Sequence, residues 1–88
     1  MIRRRVVVSG LVQGVWFRDS CRHEARAGGV AGSVRNCEDG TVEAVFEGDA
    51  DAVLTVVNWC MSGPPRAQVT NAEVFEEDVV GEAGFRIR

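Results

Sequence analysis

"TVEAVFE", Thr41–Glu47, is the most regular stretch of this 88-residue chain. Val42, Ala44 and Phe46 fall on one side of it, Thr41, Glu43 and Glu47 on the other. Alternation with a period of two predicts a β-strand in a sheet with one face packed and one face wet. The flanking segments supply the packing. Downstream, Asp49 is placed to cap a helix in which Val53, Leu54, Val57, Cys60 and Met61 form an apolar stripe at helical spacing, ended by "SGPPR" (Ser62–Arg66). Upstream, "CEDG" (Cys37–Gly40) reads as a turn that joins a second strand over Ala31–Asn36.

Further out, Arg4–Gly10 is rich in β-branched residues and suits a strand with Val6 and Val8 on one face. From Asp19 to about Gly28 the pattern is helical, with Phe17, Cys21 and Ala25 spaced by four, and Gly28-Gly29 stops it. Val69, Ala72 and Val74 predict another strand whose phase shifts near Thr70–Asn71, as a bulge would cause. Acidic "EEDVVGE" reads as a loop, and Phe85 and Ile87 alternate in a short last strand. The order β-α-β-β-α-β, with a short extra strand, is the ferredoxin-like split β-α-β arrangement of the α+β class. It implies an antiparallel four- to five-stranded sheet with two helices on one face. No repeat or linker interrupts residues 1–88, which read as one domain. This architecture hosts many functions, so the chemistry has to come from side chains.

Composition narrows the classes. With 45% apolar and 26% charged residues the chain is an ordinary globule. No apolar run approaches the ~18 residues needed to cross a bilayer. The start "MIRRRVVVSG" is basic like a signal peptide, but its apolar run, Val6–Val8, is too short for one, and a cytoplasmic protein is expected. A net charge of −3 argues against general affinity for nucleic acid. Cys21, Cys37 and Cys60 form no C-x-x-C pair, and His23 is the lone histidine, so no zinc-type cluster is expected. Cys21 and Cys60 fall on apolar stripes, as small core residues do, and Cys37 sits in a turn.

The stretch between first strand and first helix, "SGLVQGVWFR" (Ser9–Arg18), carries the functional signal. A glycine-rich turn entering a helix points several backbone N–H groups into one concavity beside the positive end of the helix dipole. Arg18 adds a planar fork able to grip two oxygens of a phosphoryl group. "VSGLVQGVWFR" (Val8–Arg18) resembles the acylphosphatase signature at Val8, Gly10, Val12, Gln13, Gly14, Val15, Phe17 and Arg18. "GSVRNCEDGTVEAVFEG" (Gly32–Gly48) resembles the family's second signature at Gly32, Val34, Arg35, Asn36, Gly40, Val42 and Gly48. "GPP" (Gly63–Pro65) and the terminal "FRIR" are also similar to it. Ser33 stands where the family usually has an aromatic, which bears on local packing. Cys37 stands where it often has threonine, which bears on whatever holds Asn36.

The resemblance implies an enzyme that hydrolyses a small-molecule acyl phosphate to carboxylate and inorganic phosphate. Arg18 and the backbone N–H groups of Gln13, Gly14, Val15, Trp16 and Phe17 would bind phosphate, and Asn36 would orient the attacking water. No metal or cofactor is expected, because a carboxylate leaves without a proton and phosphoryl transfer needs mainly positioning and charge stabilisation. A monomer without nucleic-acid or membrane partners is expected. Two alternatives stand beside this reading. "CMSGPPR" (Cys60–Arg66) has the C-x5-R spacing of cysteine-dependent phosphatases, but Pro64 and Pro65 lack the N–H groups that a phosphate cradle needs. A non-catalytic ferredoxin-like binding module, such as an RNA-recognition domain, needs aromatics on the open sheet face, where Thr41, Glu43 and Glu47 are expected instead.

Overall fold

A computed structural model describes residues 1–88. The chain runs β1 (Ile2–Leu11), α1 (Phe17–Ala27), β2 (Ala31–Asn36), β3 (Val42–Gly48), α2 (Ala50–Cys60), β4 (Gln68–Glu77), β5 (Phe85–Ile87). The strands form one sheet in the order β4-β1-β3-β2-β5. Pairings of β1 with β3 and β4, and of β2 with β3, are antiparallel. The short β5 departs from the expected antiparallel pattern and lies parallel to β2, with Gly32 opposite Phe85 and Val34 opposite Ile87. The reason is geometric. β4 finishes at Glu77, opposite Arg3, at the end of the sheet where β2 begins. A short loop along that end can only deliver the next strand running the same way as β2.

Alternation places Val6 and Val8 of β1, Val34 of β2, and Val42, Ala44 and Phe46 of β3 under the helices. Phe17, Cys21 and Ala25 of α1 and Val53, Val56, Val57 and Cys60 of α2 close the core from the other side. The α2 stripe sits one step round from its expected position. Burial follows 53, 56, 57 and 60, which leaves Leu54 and Met61 exposed at the margin. Asp49 precedes α2 but makes no side-chain cap; the helix is entered through the Val53 N–H donating to the Asp49 carbonyl at 2.9 Å. The expected bulge is present: Ser9 faces Asn71 and Gly10 faces Val69, leaving Thr70 without a cross-strand partner. No helix is long and apolar enough to cross a membrane.

The open face is an ionic ladder, and it explains the basic N-terminus. Arg3 Nε donates to Glu77 at 3.0 Å and Arg5 Nε to the other oxygen of Glu77 at 3.0 Å, while Arg5 also lies 4.2 Å over the Phe75 ring. Glu47 departs from the expected wet position. It is 1% exposed, because the loop after β4 folds over it and the N–H groups of Val80, Gly81 and Glu82 donate to its carboxylate at 2.8–2.9 Å. Arg3 Nη1 completes the set at 3.2 Å. These donors, the Val80 N–H first, hold the Glu47 carboxyl below the usual carboxylate range. Ser33, at the position where an aromatic is usual, is buried in the same open-face layer opposite Val45.

Candidate active site

The β1–α1 turn and the end of β2 meet at the same end of the sheet. Two residues of the turn are left-handed, Gly14 at φ 73° and Trp16 at φ 70°. Glycine takes that conformation freely; for Trp16, the only non-glycine residue with positive φ, it is strained. Between them the chain curls so that none of the N–H groups of Gln13 to Phe17 donates to another backbone carbonyl. The first bond of the helical region is Ser20 N–H to the Trp16 carbonyl at 3.1 Å. A curl of free N–H groups at the positive end of α1 attracts anions.

Arg18 stands on the first turn of α1 and makes no ion pair, unlike the arginines of the sheet. Its neighbour Asp19 is taken by Arg22, 3.0 Å away. Arg18 and Asn36 line one cavity of about 300 Å³ together with Val12, Gly14, Trp16, Phe17, Asp19 and Ile87. Asn36 Oδ1 is buried without a hydrogen-bond partner, and the amide nitrogen makes no bond to the protein either. A buried polar atom left without a partner costs about 1–3 kcal/mol, so such an atom is satisfied by water or a ligand.

Of the residues expected at the site, Gly14, Trp16, Phe17, Arg18 and Asn36 are brought together in this cavity. The side chains of Gln13 and Val15 are directed elsewhere. Val15 is packed in the core. Gln13 Nε2 donates to the carbonyls of Cys37 at 2.8 Å and Thr41 at 3.0 Å, tying the phosphate-type turn to the turn that follows Asn36. That second turn is closed through its backbone, with Cys37 N–H to the Thr41 carbonyl at 2.8 Å, and by Asp39 accepting from the Thr41 hydroxyl at 2.7 Å. Asn36 is thus held without help from the side chain at 37, and Cys37 in place of threonine removes none of these bonds. The side-chain role of Gln13 was available in one signal: an amide set in an apolar turn needs partners of its own. Asp19 and Ile87 were not expected in the lining; Ile87 reaches it only because β5 lies beside β2.

The C-x5-R pair finds no such site. Cys60 is fully enclosed beside Cys21, whose thiol is pushed up by its contact with Cys60 and by burial. Arg66 lies beyond two prolines and is exposed. A thiol sealed in the core has no access to a substrate.

The acylphosphatase family model matches residues 4–87. The chain is 59% identical over 87 residues to the acylphosphatase of Rubrobacter xylanophilus, covering 98% of this chain and 79% of that protein. It is 55% identical over 86 residues to the acylphosphatase of Pelotomaculum thermopropionicum, covering 97% and 94%. The fold is similar to the crystal structure of acylphosphatase from Bacillus subtilis, with a TM-score of 0.96 at 37% identity over 100% of this chain and 99% of that one. Sequence and fold, matched across nearly the whole length, agree with the two motifs, and the chain belongs to the acylphosphatase family.

Proposed function

We propose that this chain hydrolyses carboxylic–phosphoric mixed anhydrides in the cavity shared by Arg18 and Asn36. The observation that carries the reading is the pairing of an arginine free of carboxylates with an unsatisfied asparagine amide, across from a curl of free N–H groups. Arg18 and the N–H groups of Gln13 to Phe17 bind the phosphoryl oxygens and take up charge as it spreads in the transition state. Asn36 holds the attacking water. Its Oδ1 is left without a partner in the protein, and the side-chain amide is free to bind the water. The water oxygen forms the new bond to phosphorus as the bond from phosphorus to the acyl oxygen breaks. The carboxylate departs with the electron pair, and the water's proton passes to a phosphoryl oxygen. No carboxylate pair or histidine is called on, and His/Cys/Asp/Glu side chains are nowhere gathered in threes that could hold a metal.

The test compares two variants on benzoyl phosphate and on inhibition by inorganic phosphate, with a chelated control and circular dichroism for folding. Arg18→Ala is expected to lower turnover by roughly 10³-fold and to weaken phosphate inhibition, as loss of a charge-stabilising arginine does. Asn36→Ala is expected to lower kcat by roughly 10²-fold and leave phosphate affinity intact. Activity should persist in chelator. Phosphate inhibition that survives Arg18→Ala but not Asn36→Ala would reverse the assignment.

A further inference from the structure

A second cavity, of about 410 Å³, opens next to the first and shares Trp16 and Asp19 with it. It lies between α1 and the turn after α2, walled by Trp59, Pro64 and Pro65, with Glu24 and His23 on the α1 side. Three observations give it a use. In-line displacement places the leaving oxygen opposite the attacking water. Asn36 and Ile87 line the first cavity and not the second, and Ile87 sits beside Val34 on the strand next to the one that carries Asn36. The two cavities meet instead at Trp16 and Asp19. Second, Trp16 holds a strained φ of 70° and is as a residue 66% exposed, although glycine would fit that backbone better and no core packing needs the indole. Third, the groove wall opposite the polar Asp19, Ser20, His23 and Glu24 is made of the aromatic and pyrrolidine surfaces of Trp59, Pro64 and Pro65. They are anchored because Phe17 of the phosphate turn packs on Trp59, ring centroids 5.2 Å apart.

We propose that this groove holds the acyl part of the substrate, with Trp16 as its platform. The inference rests on the phosphate reading of the first cavity. The lining fits a flat, uncharged acyl group. No arginine lines the groove, Asp19 is already paired with Arg22, and Glu24 has no cationic partner. An acyl group with a second anion thus meets Glu24 and is disfavoured.

The experiment measures kcat/KM for acetyl, benzoyl and 4-carboxybenzoyl phosphates in the wild type, Trp16→Gly and Glu24→Gln, together with the inhibition constant of inorganic phosphate. The wild type should favour benzoyl over acetyl phosphate. Trp16→Gly keeps the left-handed turn and should shrink that preference by roughly five- to tenfold, the scale of one aromatic stacking contact. Glu24→Gln should raise 4-carboxybenzoyl relative to benzoyl phosphate by roughly threefold or more, as expected for one partly screened charge. Ratios that stay fixed in both variants, while phosphate still inhibits competitively, overturn the groove and leave the phosphate site standing. Failure of phosphate to compete in the wild type overturns both.

Discussion

Gln13→Ala probes the link between the two halves of the site. The native amide donates two hydrogen bonds, to the Cys37 and Thr41 carbonyls, at 2.8 and 3.0 Å. Neither carbonyl is orphaned by the change, because Gly40 N–H also donates to Cys37 and Cys37 N–H to Thr41. The loss is therefore that of two ordinary bonds, about 1–3 kcal/mol in all. At about 4–8 °C per kcal/mol for a domain of this size, the melting temperature should fall by roughly 5–20 °C while the fold persists. Catalysis should suffer beyond this. The bonds fix the N–H curl relative to Asn36, and a displacement near 1 Å between binding and attacking groups costs up to about 10²-fold in rate. The expected signature is a kcat reduced by roughly 10- to 100-fold at 20 °C, well below the new melting point, with a smaller change in phosphate inhibition. Gln13→Glu should be worse, since a carboxylate cannot donate and faces two carbonyls. The assay is saturating benzoyl phosphate hydrolysis with a thermal melt on the same samples. Wild-type kcat in a destabilised Gln13→Ala protein refutes the positioning role and leaves the side chain a structural tie only.

Two further outcomes are expected. Glu47 has a depressed pKa in the folded protein, so the folded state binds fewer protons than the unfolded one. Its contribution is full above the ordinary value of 4.5 and is lost as pH falls through the lower folded value; Glu77, held chiefly by Arg3, acts in the same sense. Thermal melts from pH 7 down to about 3 should show Tm dropping below about pH 4.5, and Glu47→Gln should lower Tm at neutral pH and flatten the acid limb; parallel curves for variant and wild type count against the buried carboxylate. Gly63→Ala forces a side chain into a left-handed residue at φ 68° and sets its Cβ 2.6 Å from the Phe17 ring. It should cost about 2–4 kcal/mol and raise KM for benzoyl phosphate through the displaced ring, and an unchanged melting temperature would refute the close contact.

What the sequence makes legible here follows from how local each cause is. β3 is readable because alternation is a property of the strand itself, and the Thr70 bulge because a phase shift is visible within one segment. The Phe17–Cys21–Ala25 face of α1 is readable for the same reason. The burial of Glu47 is not, since it depends on three N–H groups some 33–35 residues away folding over an otherwise wet face. Nor is the parallel docking of β5, which is decided by where β4 happens to end. The site divides along the same line. Arg18, Asn36 and the glycine turn lie within short motifs, so their chemistry is declared locally. The side-chain destination of Gln13, the exposed Trp16 ring between two cavities, and Ile87 at the rim all depend on tertiary closure. On the proposed reading, phosphate recognition needs only N–H groups, a helix end and one arginine, all supplied by a single stretch of chain. The proposed acyl groove draws its surfaces from α1, the end of α2 and the turn beyond it, so substitutions at Trp59, Pro64 or Glu24 are expected to retune the leaving group while Val8–Arg18 stays untouched.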